Sequence, residues 1–332
     1  MTSRFLLLPL AALAATLPAS AQQAEPDAPT EILDYLPDES SRMTVPVNIG
    51  ASGPYRFLVD TGSERTVIAR ELAQSLGLGA GTTATVHSLT EVGAIRTALI
   101  PALVVGRRTV ANIHAPMLER RHLGAEGMLG VDSLQSHRVT FDFGRRQMQL
   151  TRSRTPEIDW PAGAIVVIGR RLHGRLVLFD VDVDGIRIRA VVDTGAEVTI
   201  GNSALRRSLE RRALLRPTIP VVLYSVTGGR MTADATQVGR IRIGGIGVHD
   251  MPIAFADVRP FRKLGLGDRP ALLLGMDVLQ LFDLVSIDFA NRQVRLLPLS
   301  EAPRGVRLAR AGTPTAPAAA ESRSPDSGPS PP

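Results

Sequence analysis

The chain has no cysteine, so no disulfide braces it and no thiolate can ligate a metal. Whatever lobes it forms must be held by their cores alone. Lysine occurs once, at Lys263, and the other basic residues are arginines that alternate with 32 acids, although the net charge is +6. A long basic block with interleaved aromatics is missing, which argues against nucleic acid as a partner. Arg206-Arg207 and Arg211-Arg212 do cluster, but on a helix expected over 204–215 with Leu205, Leu209 and Leu214 on another face, the pattern of a solvated basic face. The six histidines show no metal-ligand spacing, and no serine lies in a Gly-x-Ser-x-Gly elbow. The glycines of Gly77-Leu78-Gly79-Ala80-Gly81 follow a helix expected over 69–76 and read as its terminator, not as a phosphate loop.

The sequence also lacks a long apolar span. Phe5 to Leu17 is shorter than the ~20 residues a membrane-crossing helix needs. With Arg4 before it and Ala19-Ser20-Ala21 after it, this stretch reads as a signal peptide cleaved after Ala21. No cysteine follows to be lipidated, so a periplasmic or secreted protein without a membrane anchor is expected. The remaining organisation is a polar leader over 22–42, a first lobe over 43–150, a proline-bearing linker over 151–163, a second lobe over 164–300, and a Pro/Ala/Ser-rich tail over 301–332 expected to be disordered.

What the chain does have is a repeat. Phe57-Leu58-Val59-Asp60-Thr61-Gly62-Ser63-Glu64-Arg65-Thr66 is echoed 133 residues later by Ala190-Val191-Val192-Asp193-Thr194-Gly195-Ala196-Glu197-Val198-Thr199. Met128-Leu129-Gly130-Val131-Asp132 returns as Leu273-Leu274-Gly275-Met276-Asp277 at an offset of 145, and Val139-Thr140-Phe141-Asp142-Phe143 as Val285-Ser286-Ile287-Asp288-Phe289 at 146. An offset that grows this little is what loop insertions leave after a duplication. Each tripeptide closes a hairpin: Met43 to Ile49 returning through Tyr55 to Val59, and Val177 to Val183 returning through Ile186 to Val192, with the alternation of half-buried strands.

Apolar-apolar-Asp-Thr-Gly-Ser/Ala, followed some 65 to 80 residues later by apolar-apolar-Gly and a short helix, resembles the retropepsin-like aspartic proteases, over nearly everything from Met43 to Leu297. The resemblance implies an all-β, mainly antiparallel acid-protease fold. Two lobes in one chain would be related by a pseudo-twofold axis, with a few short helices and one active site where the tripeptides meet. It further implies a monomer without cofactor or metal, acting as an endopeptidase on a peptide or protein substrate. Asp60 and Asp193 would be the catalytic dyad; Thr61, Gly62, Thr194 and Gly195 would support it. Two carboxyl groups held close share one proton, which supplies a base for water and an acid for the carbonyl together. A protease-derived protein that binds peptides without cleaving them is the alternative; retention of both aspartates favours the enzyme.

The position after each glycine breaks the symmetry. Ser63 can donate toward Asp60 and favour its ionised form, which Ala196 cannot do for Asp193, or both can simply be small residues fitting a turn. Gly130 and Gly275 read as structural, and Asp132 and Asp277 as first-turn acids of short helices. A substrate-covering hairpin is expected at Val221 to Arg230, with Tyr224, Gly228 and Gly229, and a counterpart at His87 to Thr97 with Gly93.

Overall fold

The computed structural model describes residues 30–154 and 160–299, and the backbone of the strand Leu308–Arg310. The segment expected to be a signal peptide lies outside them, as does most of the tail. Among the described residues strands dominate, in two sheets of 8 and 14 strands with six short helices. Both expected hairpins form. Met43–Ile49 pairs antiparallel with Ser52–Val59, and Arg175–Val183 with Ile186–Val192, the latter through a two-residue turn in which Asp184 and Gly185 both have positive φ.

Each inner hairpin strand is then joined in parallel by the later segment of its own repeat. Val59 sits opposite Leu129 and Val192 opposite Leu274. The glycine after each apolar pair lets the chain cross tightly over the loop that carries the tripeptide. A Cβ on Gly130 would strike the Arg65 backbone, and one on Gly275 the Val198 backbone.

The lobes are sewn together by six strands in the order Glu31–Asp34, Gln147–Arg152, His137–Asp142, Phe282–Asp288, Gln293–Pro298 and Ile165–Leu172. At the centre Thr140 pairs with Ser286, its own counterpart in the repeat, and the two hydroxyls are 2.9 Å apart. A residue that pairs with its own repeat marks the pseudo-twofold axis. One apolar core runs through both lobes, from Met43 and Phe57 to Phe282 and Ile287, and includes the fully buried Phe141. A second cluster around Phe261 and Leu273 fills the second lobe.

Several boundaries differ from those expected. The polar leader contributes the strands Glu31–Asp34 and Leu36–Pro37, because the edges offered by Gln147–Arg152 and Met43–Ile49 supply backbone partners that polarity does not reveal. Within the tail expected to be disordered, Leu308–Arg310 pairs with Ile246–Val248. The helix expected to reach 215 spans Ser203–Arg211, since Ala213 takes a left-handed φ of 55°. The helix at 69–76 is Arg70–Ser75, ended by Gly77 at φ 59°. Strands flank the linker as far as Arg152 and from Ile165; residues 155–159 lie outside the described residues.

Phe141→Ala, which empties a buried ring's volume beside the axis, should cost about 3–5 kcal/mol. Because one core serves both lobes, urea unfolding should remain a single transition shifted to lower midpoint.

Candidate active site

The two tripeptide loops meet at the axis and are locked by their threonines. Thr61 Oγ1 donates to the Val192 carbonyl at 3.1 Å and accepts from the Thr194 amide at 3.1 Å. Thr194 Oγ1 donates to the Val59 carbonyl at 2.7 Å and accepts from the Thr61 amide at 3.0 Å. Every partner belongs to the other lobe, and both threonines are buried. A hydroxyl both donates and accepts, so one side chain satisfies two backbone groups at once.

This lock brings the aspartates together. A Cβ on Gly62 would collide with the Asp193 carboxyl group, and one on Gly195 with that of Asp60, so glycine is required by close approach. Within each loop the glycine amide donates to its own aspartate, Gly62 to Asp60 Oδ1 at 2.8 Å and Gly195 to Asp193 Oδ1 at 3.1 Å. Burial and then the neighbouring Asp193 charge push Asp60 up to about 7, opposed by the guanidinium of Arg175, the Gly62 amide and Arg42. Burial raises Asp193 as well, again opposed first by Arg175. The pair therefore holds a proton far above the ordinary carboxylate range.

Behind the dyad the repeat supplies a second matched set of bonds. Asp132 accepts from the Thr66 amide at 2.9 Å and its hydroxyl at 2.7 Å; Asp277 accepts from the Thr199 amide at 2.8 Å and hydroxyl at 2.6 Å. These acids stand in the first turns of their short helices as expected, each accepting from the next residue's amide at 2.8 Å, and in addition tether the chain that leaves each tripeptide. Each threonine hydroxyl in turn accepts from the crossing glycine's amide, Gly130 at 3.2 Å and Gly275 at 3.1 Å.

Ser63 does not serve Asp60. Its hydroxyl donates to the Arg65 carbonyl at 2.9 Å, closing the turn, which favours the reading of a small residue fitting the turn over that of a donor to Asp60. Ala196 adds only a backbone hydrogen bond that lowers Asp193.

The dyad lies in a cleft of about 580 Å³ lined from both lobes. The second-lobe hairpin turns over Ser225 to Gly229, between Ile219–Tyr224 and Arg230–Ile243. Tyr224 lines the cleft while 75% exposed. Gly228 abuts the His122 ring and Gly229 the Thr90 side chain, so this tip reaches the first lobe. The first-lobe hairpin turns over Ser88 to Glu91; Gly93, expected in its turn, lies in the strand Val92–Val105. Two bonds between lobes close the same side: the Arg259 amide to the Leu89 carbonyl at 3.1 Å, and Lys263 Nζ to Glu64 Oε2 at 2.7 Å. Arg42, Arg175, Glu64 and Lys263 were not singled out from the sequence. Comparison of the repeats upstream of each tripeptide holds a signal for the two arginines, since both stand 18 residues before an aspartate.

Two lobes of like topology, crossed threonine loops and paired buried carboxyls define a two-lobed protein of the aspartic-protease type. A family model described as aspartyl protease matches residues 45–133 and 179–278, one segment per tripeptide, and the chain belongs to that family. A search of curated proteins found no match.

Thr61→Val and Thr194→Val should each cost about 1–3 kcal/mol in denaturant unfolding, since each orphans buried backbone groups. The double variant should cost less than the sum, and Thr→Ser at either site should retain most stability. Because Asp60 titrates higher folded than unfolded, the folded state binds more protons and stability falls as pH rises from about 4 toward about 7. Asp60→Asn should therefore melt above the unmodified chain at pH 8, and this advantage should vanish at pH 4.

Proposed function

We propose that this protein is an aspartic endopeptidase in which Asp60 and Asp193 share one proton and activate a water between them. The observation that carries the reading is the approach of the two carboxyl groups, each against the opposite loop's glycine, with Asp60 raised to about 7 by burial and its neighbour. In the singly protonated pair, the ionised carboxylate takes a proton from water as the water oxygen bonds to the peptide carbonyl carbon. The protonated carboxyl gives its proton to the carbonyl oxygen. The tetrahedral diol collapses when the amide nitrogen accepts a proton from the dyad, the C–N bond breaks and a diol hydroxyl returns its proton to the ionised carboxylate, giving a carboxyl and an amine. One proton is again shared, and no covalent intermediate is needed.

Thr61 and Thr194 set the carboxyl separation; Gly62 and Gly195 leave room for it. The hairpin bearing Tyr224, Gly228 and Gly229 covers the cleft from one side, which favours a bound peptide sheltered from bulk water. Because both aspartates come from one chain, a monomer suffices. The N-terminal segment would direct export, to the periplasm or beyond.

Asp60→Asn and Asp193→Asn should each reduce peptide cleavage to background while the chain still folds, measured by mass spectrometry of a diverse peptide mixture. Substantial turnover by either purified variant rejects the dyad. Activity should decline as pH rises through about 7, where the shared proton is lost. Ser63→Ala should leave that limb in place, because its hydroxyl bonds Arg65.

A further inference from the structure

Arg175 opens the strand Arg175–Val183 and lines the cleft at only 5% exposure, yet its Nε and Nη1 have no hydrogen-bond partner. A buried guanidinium is ordinarily paired or fully hydrogen-bonded. The duplication provides the comparison. Arg42 holds the equivalent place, 18 residues before Asp60 as Arg175 is before Asp193. Arg42 is tied off: Nε donates to Asp38 Oδ2 at 2.8 Å and Nη2 to the Leu123 carbonyl at 2.8 Å. At the 133-residue offset that relates the tripeptides, the place of Asp38 is taken by Arg171, so the second lobe offers no acid there.

Among the described residues no acid hydrogen-bonds Nε or Nη1 of Arg175 as Asp38 bonds Arg42. Gly174 packs against the Glu64 side chain, a Cβ there lying 3.9 Å from Glu64 Cγ. Glu64 gives Oε2 to Lys263 at 2.7 Å, while its buried Oε1 is as unpartnered as Arg175. The dyad feels the Arg175 charge, but Nε and Nη1 bond neither carboxyl group. The cleft is thus lined by a permanently charged guanidinium with two covered donors unused, and a carboxylate entering the cavity would supply the missing counter-charge.

We propose that Arg175 recognises a carboxylate of the bound peptide, making the protein selective for acidic substrates. This rests on the reading of the cleft as a peptide site. It is tested by binding to the Asp60→Asn chain, so that it can succeed or fail independently of turnover. The probes are acetylated, amidated peptides of about ten residues of Val, Leu, Tyr and Thr, with one Glu walked through each position, and their Gln counterparts.

At one or two positions Glu should bind about tenfold or more tighter than Gln, the size expected of a charge-assisted hydrogen bond. Arg175→Met, close in volume, should erase the difference, and Arg175→Lys should keep part of it. A gain seen in capped peptides assigns the carboxylate to a side chain; a gain seen only when the C-terminal amide is replaced by the free acid assigns it to the chain end. Both support the proposal. Three outcomes overturn it: no binding by any carboxylate-bearing peptide, no gain from a carboxylate at either a side chain or the chain end, or a preference that survives in Arg175→Met. Should Arg175→Met fail to fold, the Glu and Gln comparison in the Arg175 chain and the Arg175→Lys variant decide alone.

Discussion

Two threonines, each bonded to the backbone of the opposite lobe, fix the separation on which the rest of this structure depends. Thr61 and Thr194 exchange amide-to-hydroxyl bonds and reach past one another to the Val192 and Val59 carbonyls. The geometry leaves no room for a side chain at Gly62 or Gly195, and it presses two carboxyl groups into one buried volume. Like charges so placed cannot both ionise readily, and a proton is retained across the pair. The bonds that hold the lobes thereby also favour the singly protonated pair on which the proposed activation of a water rests.

The lock would not hold on its own. The loops leaving the tripeptides are pinned by Asp132 on Thr66 and Asp277 on Thr199, and the crossing glycines pack on the backbone behind them. Further out, the paired strands at Thr140 and Ser286 carry the axis through the joint between the lobes, above a core common to both. The helix Arg259–Lys263 of the second lobe is tied to the first-lobe hairpin through Leu89 and to the loop after the first tripeptide through Glu64. Bonds at the base and contact at the rim give a cleft with a fixed floor.

Much of this was legible in the sequence because the duplication writes each element twice. The two hairpins were readable from alternation and the repeated tripeptides from spacing, whereas the meeting of their loops and the apolar-apolar-Gly crossings were implied by the family resemblance. What escaped depends on partners far away in the chain. Glu31–Asp34 is a strand only because Gln147–Arg152 leaves an edge open to it, and no local pattern marks that. Ser63 looked like a donor to Asp60, but a two-residue hop to the Arg65 carbonyl was closer at hand. Arg175 could have been noticed by aligning the repeats further upstream, yet its lack of a partner is a property of packing. Where the repeats agree, the sequence reports the scaffold; where they differ, as at Asp38 and Arg171, it points to what distinguishes the two sides of the cleft.

The central claim is that Asp60 and Asp193 hold one proton between them up to near neutral pH, and carboxyl carbon NMR reads this directly. With aspartate labelled at the side-chain carboxyl, the two resonances are assigned by their loss in the Asn variants and followed across pH. The account requires the resonances to respond together, with a shared transition near pH 7. Two independent transitions at about pH 4, the value of an ordinary aspartate, would contradict it.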